Sequence, residues 1–140
     1  MSSPPFNTPG SFSFTVKQGS DLSISLTWTD DNGNPMDLTG VSMKMAIRQQ
    51  FGSQPLVTLD SNSTTGSHIV VGGTSGSAEI VLAAADTKSF QMGFIVVNGS
   101  ALGQLPLYRL GVYDLQYTMP DGTVGYLLEG MVYLDPQVTQ

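Results

Sequence analysis

The chain reads as all-β: an antiparallel β-sandwich of about seven to nine short strands with one short helical turn. Three observations predict this. Apolar residues recur at period two in run after run, with Ser or Thr between them, as half-buried strands require. Turn-forming Gly, Pro, Asn and Asp separate the runs at near-regular spacing. Charged residues make up only 11% of the 140 positions, against about 25% in an ordinary domain, and sixteen Gly and eight Pro occupy much of the difference. The 40% hydrophobic content separates this composition from a disordered one.

Residues 1–10, rich in Pro and Ser with an isolated Phe6, read as an extended N-terminal arm, and residues 11–140 as a single domain. At that length a fold removes roughly two-thirds of its unfolded surface from water, so a core forms without staples. "SFSFTVK" sets Phe12, Phe14 and Val16 at period two and ends in the turn "QGSD". "LSISLTWT" puts Leu22, Ile24, Leu26 and Trp28 on one face. "VSMKMAIR" alternates Val41, Met43, Met45 and Ile47 with Ser42, Lys44, Ala46 and Arg48, a strand with a charged outer face. "PLVTLD" and "HIVVGG" are shorter strands, and "SAEIVL" is another. It runs into "AAADTKSF", whose alanines favour one or two helical turns. "LYRLGVYDLQYTM" and "VGYLLEGMVYL" then form the longest pair, joined across Pro120-Asp121-Gly122, where Pro presets φ and Gly tolerates positive φ.

Several functions are excluded or disfavoured by what is missing. With no cysteine there is no disulfide, thiolate catalysis or Cys-ligated zinc. His68 is the single histidine, so no multi-histidine metal site forms within one chain. Net charge is −6 and the five basic residues are scattered, which argues against a nucleic-acid surface. No apolar run approaches the roughly 18 residues of a membrane span, and no signal peptide is visible.

The acidic run "TWTDDNGNPMDLTG" (27–40) is the strongest apparent site. Asp30, Asn32 and Asn34 match the spacing of a calcium loop, but Pro35 stands where glycine is needed and Val41 where a bidentate Glu is needed. A turn explains every residue: Asx side chains satisfy local backbone groups, Gly33 supplies the left-handed residue and Pro35 ends the ladder. Asp30 and Asp31 sit at an exposed tip, unlike the paired carboxylates of acid–base catalysis. "VGGTSGS" lacks the Lys and following helix of a phosphate loop and reads as a turn. Glu79 and Glu129 read as outward decoration of strands. No nucleophile, base, metal ligand or cofactor site emerges, and the expectation is a protein that is not an enzyme.

The segment that does not fit is "SFQMGFIVVNGSALGQLPLY" (89–108), which carries no charge. Phe94, Ile95, Val96 and Val97 are consecutive, and Leu102 and Leu105 follow. One reading is a further hairpin turning at Asn98-Gly99; the other is a docking segment, because an exposed loop this apolar exceeds what soluble monomers show. Phe6, Phe94, Ile95, Val96, Val97, Leu102 and Leu105 are therefore the expected assembly contacts, together with sheet edges that few charges protect.

In this order, "QGSD", "LTWTDDNGNPMDLTG", "VSMKMAIR", "GSAEIVLAAADTKSF" and "YDLQYTMPDGTVGYLLEGMVYLDPQVTQ" resemble small structural proteins of tailed bacteriophages. The first half is similar to the immunoglobulin-like N-terminal domain of phage baseplate upper proteins. The resemblance spans about residues 15–138, with 91–106 as an insertion. It implies an immunoglobulin-like sandwich in a virion, made in the host cytoplasm and assembling in multiple copies or as a homo-oligomer with other phage virion proteins. The resemblance carries no enzymatic residues, and beside it the composition leads to the expectation of no cofactor, no nucleic acid and no membrane. Within the particle the expected location is the tail, at the baseplate or a fibre attachment; the alternative is a capsid cement or decoration protein of the same fold. A carbohydrate-binding module is the remaining alternative, with Tyr113, Tyr117, Tyr126 and Tyr133 as the aromatic residues to consider.

Overall fold

A computed structural model describes residues 10–90, 95–97 and 107–136. Along the chain come β1 (Gly10–Ser11), β2 (Phe14–Lys17), β3 (Leu22–Thr27), β4 (Ser42–Arg48), β5 (Pro55–Asp60), β6 (His68–Val71) and β7 (Ser77–Leu82). The helix α1 (Ala84–Lys88) follows, then β8 (Ile95–Val97), β9 (Leu107–Thr118) and β10 (Val124–Asp135). The smaller sheet has the order β3-β7-β6, the larger β10-β9-β4-β5 with β1 and β2 along the free edge of β10. A sheet of three and a larger sheet built on the last hairpin form a β-sandwich-like arrangement.

The alternation read from sequence places the core. In β4, Met43, Met45 and Ile47 are buried while Lys44 is exposed. They meet Leu115 and Tyr117 of β9, Val132 and Leu134 of β10, and Ile69, Ile80 and Leu82 from the opposite sheet in one cluster. Each such fully buried aliphatic side chain stabilises the fold by about 1.5–3 kcal/mol. The central hairpin closes as expected. Gly122 has φ 94°, Met119 N–H donates to the Thr123 carbonyl at 2.7 Å, and the Asp121 carboxylate accepts from Thr123 N–H at 2.9 Å.

Two features depart from the sequence reading. First, β1 and β2 pair with β10 in parallel. β2 connects through residues 18–21 to β3 in the other sheet, so no hairpin dictates its direction, and a parallel ladder is open to it. Gly10 also lies in a strand, where an arm was expected. Between β1 and β2 the ladder is interrupted; Phe12 N–H donates to the Glu129 carbonyl at 3.0 Å, and the Ser13 hydroxyl accepts from Met131 N–H at 3.1 Å. Only glycine fits at 130, because a methyl group there would overlap the Phe12 carbonyl. The buried Tyr113 hydroxyl donates to that same carbonyl at 2.5 Å, and its ring packs edge-on to Phe14 at 5.1 Å. Burial pushes the Tyr113 phenol well above its usual pKa.

Second, Pro35 does not end the ladder at the acidic run. Thr29 and Pro35 form a bridge, and Met36 N–H donates to the Trp28 carbonyl at 3.0 Å. Proline is tolerated because the outer edge of this hairpin asks nothing of its nitrogen.

The helix is latched to the turn at 18–21. Thr87, fully buried, accepts from Gly19 N–H at 3.1 Å and donates to the Ser20 carbonyl at 2.8 Å. The Asp21 carboxylate accepts from Ala84 N–H at 2.7 Å, serving as the N-terminal cap that Ala83 cannot provide. Ser67 joins the latch, donating to Asp86 and accepting from Ala83 N–H at 2.9 Å.

Candidate functional site

The acidic run is a closed turn. The Asp30 carboxylate accepts from Asn32 N–H at 2.9 Å and Asn34 N–H at 3.0 Å, and Gly33 takes φ 83°. Asp37 accepts from the Thr39 hydroxyl at 2.6 Å and from its N–H at 3.0 Å. Those two bonds, the hydroxyl first, hold the Asp37 carboxyl below its usual pKa. Oδ1 of Asp30 is thus engaged with backbone N–H groups of the turn, and Oδ1 of Asp37 with Thr39. Among the described residues, no group of three or more His, Asp or Glu is placed to hold a metal. His68 begins β6, and its Nδ1–H donates to the Gly66 carbonyl at 2.7 Å.

Of the expected assembly contacts, Phe6, Phe94, Leu102 and Leu105 lie outside the described residues. Ile95, Val96 and Val97 form β8, which pairs antiparallel with the start of β9, Ile95 opposite Tyr108 and Val97 opposite Leu107. The turn expected at Asn98-Gly99 lies outside the described residues. β8 lies on the side of β9 that β4 occupies further along, beyond Arg48. Gly111 stands at that junction, where a methyl group would overlap the Arg48 carbonyl.

The large sheet has an outer face that no element covers among the described residues. Register builds it row by row. Tyr133 lies beside Arg109, Met131 beside Val112 and Arg48, Glu129 beside Asp114 and Ala46, and Tyr126 beside Gln116, Lys44 and Asp60. A concavity of ≈ 610 Å³ opens on it, lined by Ser13, Arg48, Phe51, Arg109, Asp114 and Glu129 among others. Phe51, at the tip of the β4–β5 hairpin, is 89% exposed. The loop holding it is closed by hydrogen bonds: the Arg48 guanidinium donates to the Ser53 carbonyl, and the Ser53 hydroxyl donates to the Gln50 carbonyl at 2.7 Å. Met131, Tyr126 and Val124, also exposed, extend the apolar surface along β10.

Asp114 and Glu129 are direct cross-strand neighbours, an unfavourable pairing of like charges. Partial burial, with Glu129 adding to it, raises the Asp114 pKa, while Arg48 opposes the shift. Charge is distributed unevenly over the molecule. Lys17, Lys44, Arg48 and Arg109 share the outer face and its rim with Asp60, Asp114, Glu129 and Asp135. Four cations against four carboxylates leave this face neutral. The remaining Lys88 against seven carboxylates carries the whole net charge of −6.

Comparison with known protein families and with curated proteins finds no match for this chain. Sequence reasoning missed Phe51 and Met131, and named Tyr126 only as a candidate sugar contact, because a lone apolar residue in a turn or on an outward strand position carries no local signal of assembly. The consecutive Leu127-Leu128 was the available signal. The bulge there shifts the phase of β10, turning Glu129 and Met131 outward. Of the four tyrosines considered for sugar contact, Tyr113 and Tyr117 are buried, and the Tyr126 hydroxyl accepts from Gln116 at 3.1 Å.

Proposed function

We propose that this chain is a structural component of a tailed-bacteriophage virion, associated with the tail at the baseplate or a fibre attachment, and acting by protein–protein assembly without catalysis. The observation that carries the assembly reading is the outer face of the large sheet. It combines exposed aromatic and Met side chains and two arginines, residue types enriched at interfaces, with balanced charge on an otherwise acidic protein. The phage assignment rests on the motif order from "QGSD" to "PDGTV…LLEG". Capsid decoration on the same fold is the alternative, and copy number separates the two.

Mass spectrometry of purified particles from a lysate encoding this chain tests the proposal. The expected result is the chain at tail-like stoichiometry, far below the major capsid protein; near-capsid stoichiometry selects the decoration role. Absence from particles while the protein is abundant in the lysate refutes the virion assignment.

A further inference from the structure

We infer that the partner of the outer face of the large sheet is a second copy of this chain, packed face to face about a two-fold axis. The inference rests on the reading of that face as an assembly surface. Three observations carry it.

The first is electrostatic. Outside the outer face seven carboxylates stand against Lys88 alone, so the rest of the molecule, taken together, brings net negative charge against net negative charge when two copies meet. The outer face brings four cations and four carboxylates against the same set, so self-repulsion, which opposes association of a chain at −6, is least there. The second is the order of charge within the concavity. Arg109 lies at one end, and Asp114 and Glu129 at the other, with Met131 and Val112 between them. A two-fold contact is self-complementary. With the copies turned end over end, each Arg109 end lies over the partner's carboxylate end, and Met131 and Val112 meet their own copies in the middle, with Arg48 at the β4 side of that row drawn to the Ser53 carbonyl. This arrangement gives Asp114 and Glu129 the counter-charge that their own strands do not place between them.

The third is size. Four strands about 4.8 Å apart and about 7 residues of 3.3 Å rise make a face of roughly 450 Å² in projection. Side-chain relief brings the total over two copies to on the order of 1,000 Å², at the lower bound for specific interfaces. The expected dimer is therefore reversible and concentration-dependent, and weakens with added salt.

Sedimentation equilibrium of the full chain over a concentration series tests this, with circular dichroism to verify folding of each variant. The wild type is expected to rise from the 14.8 kDa monomer mass toward twice that value. Phe51→Ser, at an exposed tip where folding is not at stake, is expected to weaken association at least about 10-fold, while Val70→Ser on the opposite sheet leaves it unchanged. Arg109→Glu alone and Asp114→Arg alone are each expected to be monomeric, and an equimolar mixture of the two to recover a heterodimer. A wild type that stays monomeric up to about 1 mM, a range that spans weak association, overturns the inference. So does a mixture that fails to recover association. A monomer that still enters particles refutes the dimer and leaves the assembly role standing; a dimer absent from every particle does the reverse.

Discussion

Replacing Thr87 by valine removes one oxygen from the molecule and almost no volume, and it tests whether the helix is held by its polar latch or by packing. The Thr87 hydroxyl bridges α1 to the turn between β2 and β3, accepting from Gly19 N–H and donating to the Ser20 carbonyl. The side chain is fully buried. Each such bond contributes about 1 kcal/mol net. Valine keeps the β-branched shape, so helix propensity changes little, and the two lost bonds predict a destabilisation of about 2 kcal/mol. An unfolding entropy of about 2.1 cal/mol/K per residue amounts to roughly 0.3 kcal/mol/K for this chain, so Tm falls by about 7 °C. Urea unfolding and calorimetry read both quantities, with the m-value unchanged. Thr87→Ser is the comparator: it keeps both bonds and loses a methyl group, at about 1 kcal/mol. A loss below about 0.5 kcal/mol for Thr87→Val, or a larger loss for Thr87→Ser, would show that the latch contributes less than the methyl contact.

Gly111→Ala and Gly130→Ala each force a methyl group into a neighbouring carbonyl, and are expected to cost at least about 3 kcal/mol each by chemical denaturation. Gly33→Ala, at φ 83° with open space around it, should cost only about 1 kcal/mol; equal effects at the three sites would sink the close-approach argument. Asp114→Asn should stabilise the protein at neutral pH by less than about 1 kcal/mol, since the group faces solvent. The folded-state pKa of Asp114 is raised above 3.8, so its contribution is present below that value and is lost as pH rises through the raised pKa. The gain from Asn must therefore vanish below pH 3.8. A gain that persists in acid would place its origin outside this titration.

Period-two patterning in "VSMKMAIR" and "SAEIVL", the alanine-rich turn and the Pro-Asp-Gly hairpin were legible in the sequence because each is a local rule. Alternation, propensity and turn chemistry act over a few residues and need no knowledge of neighbours. The acidic run was legible for the same reason: Asp30 and Asp37 satisfy backbone groups within four positions of themselves. Tertiary structure alone decided the rest. The parallel docking of β1 and β2 on β10 depends on where the end of the chain is carried after crossing between sheets. The bulge at Leu127-Leu128 inverts which residues of β10 face out, and a one-residue change of phase exchanges the two faces of a strand. The neutral outer face exists only because β4 is brought beside the β9–β10 hairpin, which sets Arg48, Arg109, Asp114 and Glu129 in adjacent rows. Charge balance over a surface is a sum across strands, and no single stretch of this sequence contains it.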